Sequence, residues 1–324
     1  MSLLPIPVTL SEVPERATGE SNRTQPEDPE ASNTSSASPT TLPPEPVLPP
    51  ADDAPLPRRI PNLGHALLFV SFTALLLFLF QLAVFALGKS PVARHAGAIA
   101  VEHPKLQIAI LAATYLTTLV AAWLVFPLIW QRSFLEGIRW HWVIARRQAG
   151  KLVALGLLVG FMMQIVTYFA APPKTMPIDQ FFLTPADTWL MALFGTLLAP
   201  AFEEICFRGF LVPAFAIAYD WLSLPRIPDA RARWQATTTL SPDSFIFSAI
   251  LTSVIFAWMH AAQYAYQWVA LLALFSISLL LTFVRIKTGS VAASTLVHAS
   301  YNLFDFLLLF IATGGYRHLD RLTH

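Results

Sequence analysis

Two adjacent glutamates, Glu203 and Glu204, stand inside TWLMALFGTLLAPAFEEICFRGFLVPAFAIAY, a stretch that otherwise reads as membrane-spanning. Ionisable groups at that depth are rare and mark functional sites by default. On the insertion scale a central Asp, Lys or Arg costs about 2.5–3.5 kcal/mol, and each Leu, Ile, Phe or Val returns about 0.3–0.6 kcal/mol. Two such acids therefore offset roughly ten good apolar residues. Arg208 follows Glu204 at i,i+4, the spacing at which helix neighbours pair. Glu203 lies about 100° further round the helix and is left to act as a general base. The plainer reading puts all three at a helix end, neutralising one another.

Two later stretches carry polar groups at one-turn spacing. FAWMH, Phe256 to His260, places a ring beside an imidazole near the end of the fifth apolar run. HASYN, His298 to Asn302, puts an imidazole and a carboxamide on one face of the last run. Asp305 lies near that face and is a weaker candidate. The plain reading of either stretch is interhelical polar glue, worth about 0.6 kcal/mol per bond on average. Of eight histidines, His260 and His298 lie deep in spans, and they share the C-terminal half with the glutamate pair. Together they suggest hydrolysis. Glu203 and His260 would activate a water, and His298 and Asn302 would stabilise the oxyanion from a peptide carbonyl.

Such groups need a bundle to hold them. The chain of 324 residues is 55% hydrophobic and 13% charged, about half the charged share of a soluble domain, with mean hydropathy +0.55. The apolar residues come in long runs, so the fold class is all-α, a polytopic transmembrane bundle. The expected spans are Leu63–Gly88, Leu106–Trp130, Lys151–Ala171, Thr188–Tyr219, Ser244–Tyr264, Trp268–Ile286 and Ser290–Ala312. Each is long enough for a bilayer of about 30 Å. Pro200 and Pro213 predict a kink or break in the fourth; a division there would make eight spans.

Residues 1–58 are rich in Pro, Ser, Thr, Asp and Glu without aromatics and read as a disordered tail. A Pro-rich ligand for a partner domain is the other reading of that segment. Residues 59–187 form N-terminal transmembrane helices, 188–312 the catalytic core and 313–324 a C-terminal tail. Basic residues divide 13 to 6 between the two sets of loops, counting Arg208. That places the N-terminus in the cytoplasm and the C-terminus outside. The start has no basic n-region followed by an apolar run, so it is not a secretory signal peptide. Net charge is +1 with no basic, aromatic-interleaved patch, which argues against a nucleic-acid partner. The single Cys206 excludes an intramolecular disulfide.

E-E-x-x-x-R at Glu203–Arg208, F-x-x-x-H at Phe256–His260 and H-x-x-x-N at His298–Asn302, in that order, resemble the type II CAAX prenyl endopeptidases and the related bacteriocin-processing (CPBP) intramembrane proteases. RGFL after the glutamates and TGSVAASTLVH before the last motif extend the likeness, over about residues 188 to 312. The resemblance implies an all-helical intramembrane endopeptidase, with the lipid bilayer and a protein or peptide substrate as its partners and a bacterial plasma membrane as its expected place. It implies Glu203 and His260 as the water-activating pair, His298 and Asn302 as oxyanion stabilisers, and Glu204, Arg208 and Phe256 in support. The polar insert Leu224–Asp243 is longer than that pattern expects.

No cofactor is required by this reading. The alternative is a Zn²⁺ enzyme with Glu203, His260 and His298 as ligands, although no H-E-x-x-H helix occurs. Two other classes stay in view. Intramembrane Glu, His and Asn also build proton- or ion-coupled transporters, and an inactive scaffold would use the tail for docking.

Overall fold

Hydropathy decides the elements before packing does. The computed structural model describes residues 59–87, 103–170 and 176–322, all within the compact unit Pro55–His324. The expectations for residues 1–58 lie outside the described residues.

Among the described residues seven helices are long and apolar enough to cross a membrane. We label the helices α1 (Leu63–Leu87), α2 (Pro104–Trp130), the short α3 (Phe134–Gly137) and α4 (Trp142–Arg147), and α5 (Ala149–Ala170). The long α6 runs Pro185–Leu222. The insert carries α7 (Ala230–Gln235), and α8 (Pro242–Met259), α9 (Trp268–Thr288) and α10 (Val291–Ala312) complete the bundle. No strand occurs among the described residues. The expected all-α multi-span fold is therefore found, with seven spans.

The fourth span departs from expectation. It is not divided: α6 is continuous over 38 residues, about 57 Å at 1.5 Å per residue. Its prolines are absorbed by two π-helical stretches, Phe194–Leu198 and Ile205–Leu211, each ending shortly before a proline. In the first, the Ala199 N–H bonds to the Phe194 carbonyl. The next such bond, to the Gly195 carbonyl, would need an N–H from Pro200, which has none. Both glutamates sit in the six-residue α segment between the π stretches, Ala199–Glu204. Such π insertions are rare and occur frequently at functional sites.

The fifth span also ends early. Its helix stops at Met259, not Tyr264, and His260 is its C-cap residue. The chain then reverses through Ala265 (φ 49°) and Tyr266 (φ 57°), both left-handed.

Aromatic packing fixes the rotation of α6. Phe210 stacks on Phe69 of α1 (ring centroids 4.5 Å), and Phe202 stacks on Tyr115 of α2 (3.8 Å). With Phe202 locked on that side, Glu203 and Glu204 are turned by about 100° and 200°, toward α8 and α10. The seam between α5 and α10 is close because it is glycine-lined. A Cβ at Gly156 would lie 2.6 Å from the Val297 carbonyl oxygen, and one at Gly160 would lie 2.7 Å from the Phe304 ring. This is the small-xxx-small pattern of membrane helix pairs. Below Gly160 the Gln164 amide donates to Asp305 Oδ1 at 3.0 Å.

The insert folds back on α6. Ser241 donates to Asp220 from its N–H (3.1 Å) and its hydroxyl (2.6 Å), and Trp234 packs edge-on against Trp221 at 5.1 Å. Leu67, Phe78, Leu124, Leu158, Phe283 and Ile311 point outward and exposed, a surface that hydrocarbon covers.

Candidate active site

Glu204 is fully buried, and so is Arg208. The expected i,i+4 pair forms: Arg208 Nη1 donates to Glu204 Oε1 at 2.8 Å. Arg208 Nη2 donates to the carbonyl and the hydroxyl of Ser278 on α9, both at 2.8 Å. The guanidinium carbon stands 5.2 Å from the Phe256 ring centre. The pair thus ties α6 to α9 through directional bonds and sets the guanidinium against a ring of α8.

Glu204 has a second partner that spacing did not foretell. Its Oε1 also accepts from His298 Nδ1 at 2.9 Å. The supporting glutamate therefore orients a histidine three spans further along the chain. The His298 ring is also stacked on Tyr301 (centroids 5.0 Å, planes 6° apart).

His260 is oriented by the end of its own helix. The last carbonyls of a helix lack intrahelical partners, and the Phe256 carbonyl lies 2.8 Å from His260 Nδ1. A carbonyl can only accept, so Nδ1 carries the proton and Nε2 keeps its lone pair in the neutral ring. Phe256 packs beside that ring as expected, with centroids 4.6 Å apart.

Both Nε2 atoms face Glu203. Oε2 of Glu203 is 4.0 Å from His260 Nε2 and 3.8 Å from His298 Nε2. The Glu203 and His260 side chains keep 17% and 18% exposure, against 0% for Glu204. These gaps exceed a hydrogen bond and suit a bridging water. They are also wider than the roughly 3.3 Å between ligand atoms of tetrahedral zinc with bonds near 2.0–2.1 Å. Among the described residues no group of three His, Cys, Asp or Glu has metal-holding geometry. As set, these side chains do not fit a four-coordinate metal.

Asn302 is directed elsewhere. Its Nδ2 donates at 2.7 Å to the Gly195 carbonyl, the one that Pro200 leaves without a helical donor. One of its two N–H groups is thereby used. Among the described residues Asn302 makes no hydrogen bond to Glu203, His260 or His298.

Tyr264 and Tyr301 were missed by the sequence reading. Tyr264 lies in the turns after His260, where burial first, then the charges of Asp305 and Glu203, push its phenol up to about 12. The only sequence signal for either was an aromatic within one turn of a motif histidine.

The order of these motifs along the chain can be compared with known families. Residues 185–304 match the family model described as Rce1-like, Type II CAAX prenyl endopeptidase. The matched segment contains all three motifs and most of the expected core. No curated protein and no solved structure matches the chain.

Proposed function

We propose that the Rce1-like segment hydrolyses a peptide bond in a membrane-associated protein or peptide. The observation that carries this reading is the convergence of one carboxylate and two oriented imidazole nitrogens on a single gap. Glu203, His260 and His298 are brought there by α6, α8 and α10.

Proton counting defines the roles. A water has two protons, whereas an ionised Glu203 and two neutral Nε2 atoms make three acceptors. One further proton completes the set, and His298 is the residue placed to hold it, because the Glu204 carboxylate stands at its Nδ1. A protonated His298 offers Nε2–H to an oxyanion. The water then donates to Glu203 and His260. Its oxygen attacks the carbonyl carbon as Glu203 takes a proton. Glu203 returns that proton to the leaving nitrogen as the C–N bond breaks. The uncommitted N–H of Asn302 is assigned to the oxyanion as a second donor.

No step here passes through a metal. The transport class often shows paired broken helices, whereas among the described residues α6 is the one span with π interruptions. The substrate is left as a class: a protein or peptide held at the bilayer.

The test is a comparison of membrane peptides from cells with the wild-type chain and with Glu203→Gln, followed by cleavage of the identified substrate by purified protein. Glu203→Gln and His260→Ala each lower the rate about 10²–10⁴-fold, the usual worth of a general base. Chelator leaves the wild-type rate unchanged. A variant that cleaves at the wild-type rate sinks the assignment, and a chelated loss restored by zinc sinks the metal-free mechanism.

A further inference from the structure

Four arginines gather at the opposite end of α8 from His260. Arg59 precedes α1, Arg132 follows α2, Arg139 follows α3 and Arg285 lies in the last turn of α9. They line one cavity of about 200 Å³, with Glu136 as its one acidic wall residue and Thr238 contributed by the insert. One water needs roughly 10–15 Å³ of such space, so a polyatomic anion fits with waters to spare.

Ordinary reasons for arginines at span ends are orientation of the protein and favourable placement at helix C-termini. Those reasons leave arginines apart and in water. Here Arg285 is only 8% exposed, its Nε is buried without an acceptor, and Arg139 lies within electrostatic reach of it. Arg59 is held from the other wall. Its Nη2 donates to Thr237 Oγ1 (3.2 Å) and the Thr239 carbonyl (3.1 Å), and its guanidinium lies 3.7 Å from the Trp234 ring centre. Its Nε and Nη1 are buried and unpartnered. Asp220 acts on Arg59, but its carboxylate already accepts twice from Ser241. Glu136 makes no ion pair among the described residues. The cavity lining therefore carries four positive charges against one negative, with Asp220 outside the lining as a second acid acting on Arg59, and with donors that the protein leaves unsatisfied. Buried unpaired donors of this kind call for a missing partner.

We infer that this cavity binds a phosphate group, walled on one side by the insert 224–243. Guanidinium forks match phosphate oxygens bidentately. The position at the ends of α2 and α9 puts it at the bilayer boundary, where the phosphate of an anionic phospholipid and free phosphate are both available. The insert then has a job that peptide hydrolysis does not assign: Trp234, Thr237 and Thr239 hold Arg59 in place.

The experiment measures the thermal midpoint of the purified full chain in phosphatidylcholine nanodiscs. In one arm inorganic phosphate is titrated against chloride at matched ionic strength. In the other phosphatidylglycerol replaces part of the phosphatidylcholine. The wild type shows a saturable rise. Arg132→Gln/Arg139→Gln, at two exposed positions, needs about 30-fold more ligand for the same rise, on roughly fivefold per basic residue. A rise in the lipid arm alone identifies the headgroup as the source, and a rise with phosphate in both settings identifies the phosphate group itself. If the double variant does not fold, Arg59→Gln serves as the comparison. No rise in either arm, or an equal rise in the variant, overturns the site.

Discussion

At the residue scale the two glutamates divide one task. Glu203 keeps partial exposure and faces the gap, whereas Glu204 is sealed between Arg208 and His298. Removing one member of a buried ion pair leaves an uncompensated charge and typically costs about 3–5 kcal/mol. Arg208→Ala accordingly unfolds at a lower midpoint than the wild type, while Glu203→Gln unfolds near the wild-type midpoint. A thermal melt of both variants in one detergent checks this; equal midpoints for wild type and Arg208→Ala would defeat it. The pairing of Glu204 with Arg208 was legible because i,i+4 is a property of one helix. The bond from His298 to Glu204 was not, because it joins residues 94 positions apart, and nothing local in either motif encodes that contact.

At the element scale the active groups are only as well placed as α10. That helix carries His298 and Asn302, and its closest neighbour is the glycine-lined face of α5. Gly156→Leu forces the side chain into the Val297 carbonyl and Ser300, so α10 must shift by a large part of a side-chain width. Overpacking of this kind costs about 1–3 kcal/mol, and a displacement near 1 Å costs about 10²-fold in rate. The variant therefore loses cleavage even where it folds, which a parallel measurement of rate and melting midpoint resolves. The spans themselves were legible, since runs of twenty apolar residues have one fate in water. The continuity of α6 was not. Pro200 and Pro213 signal a lost hydrogen bond, but whether a helix kinks or adds a π turn depends on what packs around it. Here Phe202 and Phe210 of α6 pack into one buried cluster with Phe69 of α1 and Phe126 of α2.

For the whole molecule, the basic residues favour one end of the bundle even after Arg208 is set aside as an interior residue. The loops around Arg132 to Arg147 and the insert fall at that end, and the turns around His260 to Gln267 at the other. We propose that the basic end faces the cytoplasm. Single cysteines introduced at Arg231 and at Gln267, in a Cys206→Ala background, would then be labelled by an impermeant thiol reagent from opposite sides of sealed cells, Gln267 from outside. Labelling of Arg231 from outside reverses the orientation.

The proline at 200 and the asparagine at 302 are coupled partners, although each looks self-sufficient in the sequence. Asn302 supplies the donor that Pro200 withholds from Gly195. Restoring that donor with Pro200→Ala makes the structural half of Asn302 redundant. The double variant Pro200→Ala/Asn302→Ala should therefore be more stable than the sum of the two single effects implies, the signature of interacting sites in a double-mutant cycle. Whatever deficit in cleavage then persists relative to Pro200→Ala alone belongs to the reaction, so a backbone repair one turn before Glu203 becomes the means of separating scaffold from chemistry in one side chain.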